Sequence, residues 1–156
     1  MKSINILIIT FLFSCYCFGQ DLYKMDSLFN LHFKSIEATI DNMSLNGQKV
    51  QTYNNDIIFL YVLQDISEFK FEQDGYTHQP MINRKELDNI KKWYKINRKK
   101  INCNKIMKMT ETYKEYNKTY RIIKNNDPDS YYLYEHILDS LEIRLNEIRQ
   151  INTYVW

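Results

Sequence analysis

Hydrophobic and polar positions alternate along this chain with helical period nearly throughout. From Leu22 the apolar residues fall at Leu22, Met25, Phe29, Phe33, Ile36, Ile40 and Met43, spaced 3, 4, 4, 3, 4 and 3. That is one continuous apolar stripe, and it predicts a helix over 21–45 with Asn46-Gly47 as its stop. Ile57 to Leu63 is a run of seven apolar or aromatic residues, continued at Ile66 and Phe69 with polar residues between. Asn54, Asn55 and Asp56 precede it as cap-forming types. We read a buried helix over 55–69 around which the rest of the chain is arranged, although its Ile, Phe, Tyr and Val content also suits a strand.

The later elements carry clearer signals. Asn83 and Glu86 form a capping box and Ile82 with Leu87 a hydrophobic staple, which starts a helix over 84–97. Ile106, Met109, Tyr113, Tyr116, Tyr120 and Ile123 make a heptad seam behind a cap at Asn102, and Tyr131, Tyr134, Leu138, Leu141, Leu145 and Ile148 make a second one. These predict helices over 103–124 and 129–151, joined by a turn in which Asp127 caps and Pro128 takes the first helical position. Equal lengths and a short turn make the pair an antiparallel αα-hairpin. Between the second and third helices, Asp74-Gly75 suggests a short hairpin flanked by Phe69-Lys70-Phe71 and Tyr76-Thr77-His78. The fold class is therefore all-α, a single-domain bundle of about five helices.

Composition agrees. The chain of 156 residues is 44% hydrophobic and 26% charged, with only three Gly and two Pro. That suits one globular helical domain and disfavours a turn-rich β protein.

Residues 1–19 have the pattern of a secretory signal peptide. Lys2 supplies a positive start, Ile4 to Phe13 an apolar core, and Cys17-Phe18-Gly19 a small-x-small cleavage site before Gln20. The expected mature domain is 20–156, exported to the periplasm or secreted, with no integral membrane segment after cleavage. The Phe-Gly-Gln junction on a Lys- and Asn-rich chain resembles small exported proteins of Bacteroidota; the likeness covers the leader and the general style of the chain. A competing pattern, Leu12-Phe13-Ser14-Cys15, looks like a loose lipobox and would anchor the protein through lipidated Cys15. After cleavage before Gln20 only Cys103 remains, which reads as a small buried hydrophobe.

Charge is unevenly placed. Residues 20–83 hold four Lys or Arg against nine Asp or Glu, residues 84–124 fourteen against four, and residues 125–156 two against six. The densest basic part comprises Lys91, Lys92, Lys95, Arg98, Lys99 and Lys100, with Trp93 inside it. A basic stretch with interleaved aromatics suits an anionic envelope component or another protein as partner. The plainer reading has these residues solvating outer faces and lying against the acidic first and last helices, and the pattern alone favours it.

Catalytic signals are weak. His32, His78 and His136 are far apart, without metal-ligand spacing, and there is no Gly-rich phosphate loop or nucleophile elbow. No catalytic, metal or cofactor residue is assigned, and no cofactor is expected. His78 with Asp74 in the 70–82 loop is the one pair an envelope hydrolase would use. Glu68 and Glu72 read as solvated neighbours at a helix end. The seam tyrosines read as core rather than as a sugar platform. A binding protein using 84–100 is the leading reading, the hydrolase is second, and a self-assembling module built on the C-terminal hairpin is third.

Overall fold

A computed structural model describes the backbone of residues 2–43, 47–53, 55–125 and 129–154, and side chains within 21–43, 47–53, 55–123 and 134–154. Five helices and a small sheet make up the described chain: α1 (Lys2–Met43), β1 (Val50–Gln51), α2 (Asn55–Ile66), β2 (Glu72–Gln73), β3 (Pro80–Ile82), α3 (Arg84–Asn97), α4 (Cys103–Asn125) and α5 (Asp129–Gln150). The molecule is an all-α, single-domain helical bundle. α4 and α5 form the antiparallel hairpin.

The apolar run is a helix. Within α2, Ile58, Phe59, Leu60, Val62, Leu63 and Ile66 are buried, while Ile57 and Tyr61 stay partly exposed. α1, α4 and β3 pack around it. α1 contributes Met25, Phe29, Phe33, Ile36 and Ile40, the expected stripe, all buried. Phe29 stacks on Tyr94 of α3 at 3.9 Å and meets Phe59 edge-on at 5.0 Å, so one ring joins three helices. Each such ring or aliphatic side chain contributes about 1.5–3 kcal/mol by leaving water. The helix expected over 21–45 is the C-terminal part of a 42-residue α1. α1 extends back from Asp21 to Lys2 with only Gly19 and no Pro to interrupt it, and a single glycine costs only about 1 kcal/mol.

α3 starts as its sequence dictates. The Asn83 side chain accepts from the Glu86 amide at 2.9 Å, and the Glu86 carboxylate accepts from the Asn83 amide at 3.0 Å. Ile82 and Leu87 are both fully buried at the staple positions. Asn102 caps α4 by accepting from the Lys105 amide at 3.2 Å. The Asp127 cap and Pro128 lie outside the described residues, as do Asn46, Asn54 and the side chain of Tyr131.

Other expectations need correction. α2 ends at Ile66 rather than 69, because the Ser67 hydroxyl donates back to the Leu63 carbonyl and accepts from the Phe69 amide. Glu68 and Glu72 are therefore not helix neighbours; Glu72 lies in β2 and pairs with Lys49, which also reaches Glu86. The hairpin pairs β2 with β3, Glu72 opposite Met81, so its strands are 72–73 and 80–82 rather than the segments flanking Asp74-Gly75 directly. The segment between α1 and α2 supplies β1, whose Val50 lies opposite Ile82, and the sheet order is β1-β3-β2. Tyr120 is 52% exposed although it lies on the seam.

The C-terminal end is closed by a buried cation. Lys105 of α4 is 2% exposed, and its Nζ donates to the Arg149 carbonyl at 3.0 Å, the Ile151 carbonyl at 2.7 Å and the Thr153 hydroxyl at 2.9 Å. All three ammonium protons are thus satisfied at the end of α5, where carbonyls are otherwise orphaned. Burial pushes this ammonium below the ordinary lysine range.

Candidate functional site

The basic segment of α3 divides into two stripes. Arg84, Lys91 and Arg98 are spaced by seven, so they share one face of the helix. That face meets α1. Arg84 binds Glu37 at 2.6 Å and also Asp41, Lys91 binds Glu37 at 3.1 Å, and Arg98 binds Asp26 at 2.8 Å. The second oxygen of Asp26 accepts from the Tyr94 hydroxyl at 2.6 Å. Burial, together with that hydrogen bond, holds the Tyr94 phenol well above the ordinary tyrosine range.

Lys85, Lys92 and Lys99 repeat the same spacing one residue later, a rotation of about 100°. They are exposed, as are Lys95 and Lys100. Among the described residues, none of Lys92, Lys95, Lys99 and Lys100 forms an ion pair with a carboxylate. Two of the seven expected surface residues, Lys91 and Arg98, are therefore neutralised by α1, and four cations face solvent together. Trp93, the seventh, turns to the other side of α3 and meets Phe69 edge-on at 5.8 Å. Between α1 and α3 lies a groove of about 410 Å³, lined among others by Phe33, Lys34, Tyr94 and Lys95.

In the 70–82 loop the Asp74 carboxylate is hydrogen-bonded by Tyr76 and Thr77 rather than by the His78 ring. Asp74 Oδ1 accepts from the Tyr76 amide at 3.0 Å, the Thr77 amide at 2.6 Å and the Thr77 hydroxyl at 2.9 Å. These bonds, the Thr77 amide foremost, hold the Asp74 carboxyl below the usual carboxylate range. His78 is exposed, with φ of 55°, and its carbonyl accepts from the Tyr61 hydroxyl at 3.3 Å. His136 is exposed on α5. Cys103 is half-buried, with Sγ 3.6 Å from the Asp21 carbonyl, and burial pushes its thiol up.

One buried polar cluster escaped the sequence reading. His32 Nδ1 and Asp56 Oδ1 are 2.7 Å apart, and the Ser35 hydroxyl donates to Asp56 Oδ2 at 2.6 Å. The imidazole also stacks on Phe59, with centroids 4.5 Å apart. The carboxylate stands between the other two, so it ties α2 to α1 and does not relay from histidine to serine. A second carboxylate is used the same way. Asp65 of α2 accepts from the Tyr113 hydroxyl at 2.6 Å and from Arg149 Nε at 3.1 Å, linking α2, α4 and α5. Burial and the Asp65 hydrogen bond push the Tyr113 phenol up.

Among the described residues, no three His, Cys, Asp or Glu side chains gather to hold a metal ion, and no helix is long and apolar enough to cross a membrane. Compared with known proteins, the chain matches no family model, no curated protein and no solved structure.

Proposed function

We propose that the protein is exported and acts by binding an anionic partner through the outward stripe of α3 and the turn that follows it. The partner class is an anionic envelope component, such as an acidic polysaccharide or a lipid headgroup. The observation that carries this reading is the division of the basic segment. The face toward α1 is answered by Asp26, Glu37 and Asp41, while Lys92, Lys95, Lys99 and Lys100 lie exposed without a carboxylate partner among the described residues. Cations that served only to neutralise α1 would not need this second stripe. The leader pattern of residues 1–19 supports export, with the mature chain beginning at Gln20 and lipidation of Cys15 as the competing outcome.

Heparin retention at two salt concentrations tests the binding. Each phosphate, sulfate or carboxylate neutralised by a lysine releases a counterion, so retention falls steeply with salt. Substituting Gln at Lys92, Lys95, Lys99 and Lys100 together lowers retention and flattens that dependence while leaving the helical spectrum unchanged. Equal retention of the variant and the parent overturns the reading. Intact-mass measurement of the native protein decides between a Gln20 terminus and an acylated Cys15.

A further inference from the structure

A cleft of about 580 Å³ opens between the end of α2, the middle of α3 and the residues that follow α5. Phe69, Trp93 and Tyr154 supply its aromatic lining, and Asp65, Glu68 and Asn97 its polar lining. The three stretches are held there independently. Phe69 follows the Ser67 turn that ends α2, Trp93 sits on the rigid turn of α3 behind Ile90, and Tyr154 is bridged to Ile101.

The polar groups have a definite bias. Asn97 Nδ2 donates to the Trp93 carbonyl at 2.9 Å, and the Ser67 hydroxyl, which also lines the cleft, donates to Leu63. Asp65 keeps its two donors, Tyr113 and Arg149, but a carboxylate has about four lone-pair sites. Glu68 is exposed and forms no ion pair among the described residues. Among the described residues, no Lys, Arg or His lines the cleft. One Asn97 N–H and the Ser67 hydroxyl are committed, the Asp65 and Glu68 carboxylates keep acceptor capacity, and the aromatic faces beside them are themselves the negative part of a quadrupole.

We propose that this cleft binds an organic cation that carries N–H donors, an alkylammonium or alkylguanidinium group. An ammonium or guanidinium offers donors only, which matches the acceptors left at the rim, and its alkyl stem lies against the rings. An anion meets the Glu68 and Asp65 carboxylates instead. The same head group is found on a lysine or arginine side chain of another protein and on a free polyamine. This site is separate from the lysine stripe, because Trp93 lies on the opposite side of α3 from Lys95.

Calorimetric titration of the full chain distinguishes these cases. The probes are agmatine, the blocked amides of N-acetyl-lysine and N-acetyl-arginine, the uncharged N-acetyl-norleucine amide, and cellobiose. The cationic probes bind saturably below about 10 mM, and the norleucine amide and cellobiose at least about tenfold more weakly. Glu68→Gln weakens the cations about tenfold, as loss of a charge-assisted bond does. Trp93→Leu, which keeps apolar volume but removes the ring face, weakens them about fivefold. Glu111→Gln, an exposed carboxylate elsewhere on α4, changes nothing. Tighter agmatine binding points to a free polyamine, and tighter binding of the blocked amides to a protein side chain; both outcomes support the cation site. Should Trp93→Leu fail to fold, Glu68→Gln at its exposed position decides alone. The proposal is overturned by an absence of saturable cation binding, by equal binding of the norleucine amide or cellobiose, or by an unchanged affinity in Glu68→Gln.

Discussion

Asp56 stands 2.7 Å from His32 across the α1–α2 interface, and both side chains are almost fully buried. Removing one member of such a pair leaves the other without a partner in an apolar setting. Asp56→Ala is therefore expected to lower stability by about 3 kcal/mol or more. The double variant His32→Phe with Asp56→Leu recovers part of that loss, since no polar group of the pair is left stranded. Urea unfolding of Asp56→Leu, His32→Phe and the double variant measures the coupling.

Alkaline pH acts on the phenols. Tyr94 and Tyr113 are held above the ordinary tyrosine range in the folded protein, chiefly by burial. Below about pH 10 the folded and unfolded states both keep these protons. Above it the unfolded chain releases them while the folded chain does not, so stability falls as pH rises. Each of the two phenols contributes a slope of about 1.4 kcal/mol per pH unit. Tyr113→Phe is expected to lose about 1 kcal/mol at neutral pH, from its bond to Asp65, and to show a shallower alkaline decline. Denaturation between pH 8 and pH 11 reads both effects.

Salt separates the two stripes of α3. Screening weakens the pairs that Lys91 and Arg98 make with α1, each contributing at most about 1 kcal/mol. Lys91→Gln with Arg98→Gln lowers the melting temperature at low salt and much less at high salt. Lys92→Gln with Lys99→Gln leaves the melting temperature unchanged at both.

The start of α3 offers a plainer check. Asn83→Ala removes the cap that accepts from the Glu86 amide and is expected to cost about 1 kcal/mol. Glu86→Ala costs more, because Lys49 then loses one of the two carboxylates that tie β1 to β2 and α3. Thermal melts of the two variants rank them.

The elements legible beforehand are those whose signal is local. Asn83, Glu86, Ile82 and Leu87 lie within six consecutive positions, and the periodic stripe of α1 needs no partner to be recognised. β1 and β3 hold two and three residues, too few to show a period, and Val50 gains its meaning only opposite Ile82. Asp56 was expected as a cap because its position before an apolar run is where caps occur. The histidine that claims it lies 24 residues earlier. Tyr120 fits the seam by spacing yet is exposed, because spacing alone does not say whether a partner covers the position. The lysines of α3 were visible as a composition. Which of them face Asp26, Glu37 and Asp41 depends on how α1 crosses α3. Trp93 was singled out within the basic stretch, but Glu68, Asn97 and Tyr154 join it only after three distant segments meet.

Lys105 also ties together distant parts of the chain. Its three acceptors, on Arg149, Ile151 and Thr153, lie 44, 46 and 48 residues further along the chain. A chain emerging from its N-terminus has α1, α2, α3 and the start of α4 in hand well before any of these oxygens exists. Until they arrive the ammonium group faces water, with the Asp65 carboxylate of α2 acting favourably on it. Docking of residues 149–153 is therefore what takes this ammonium group out of water.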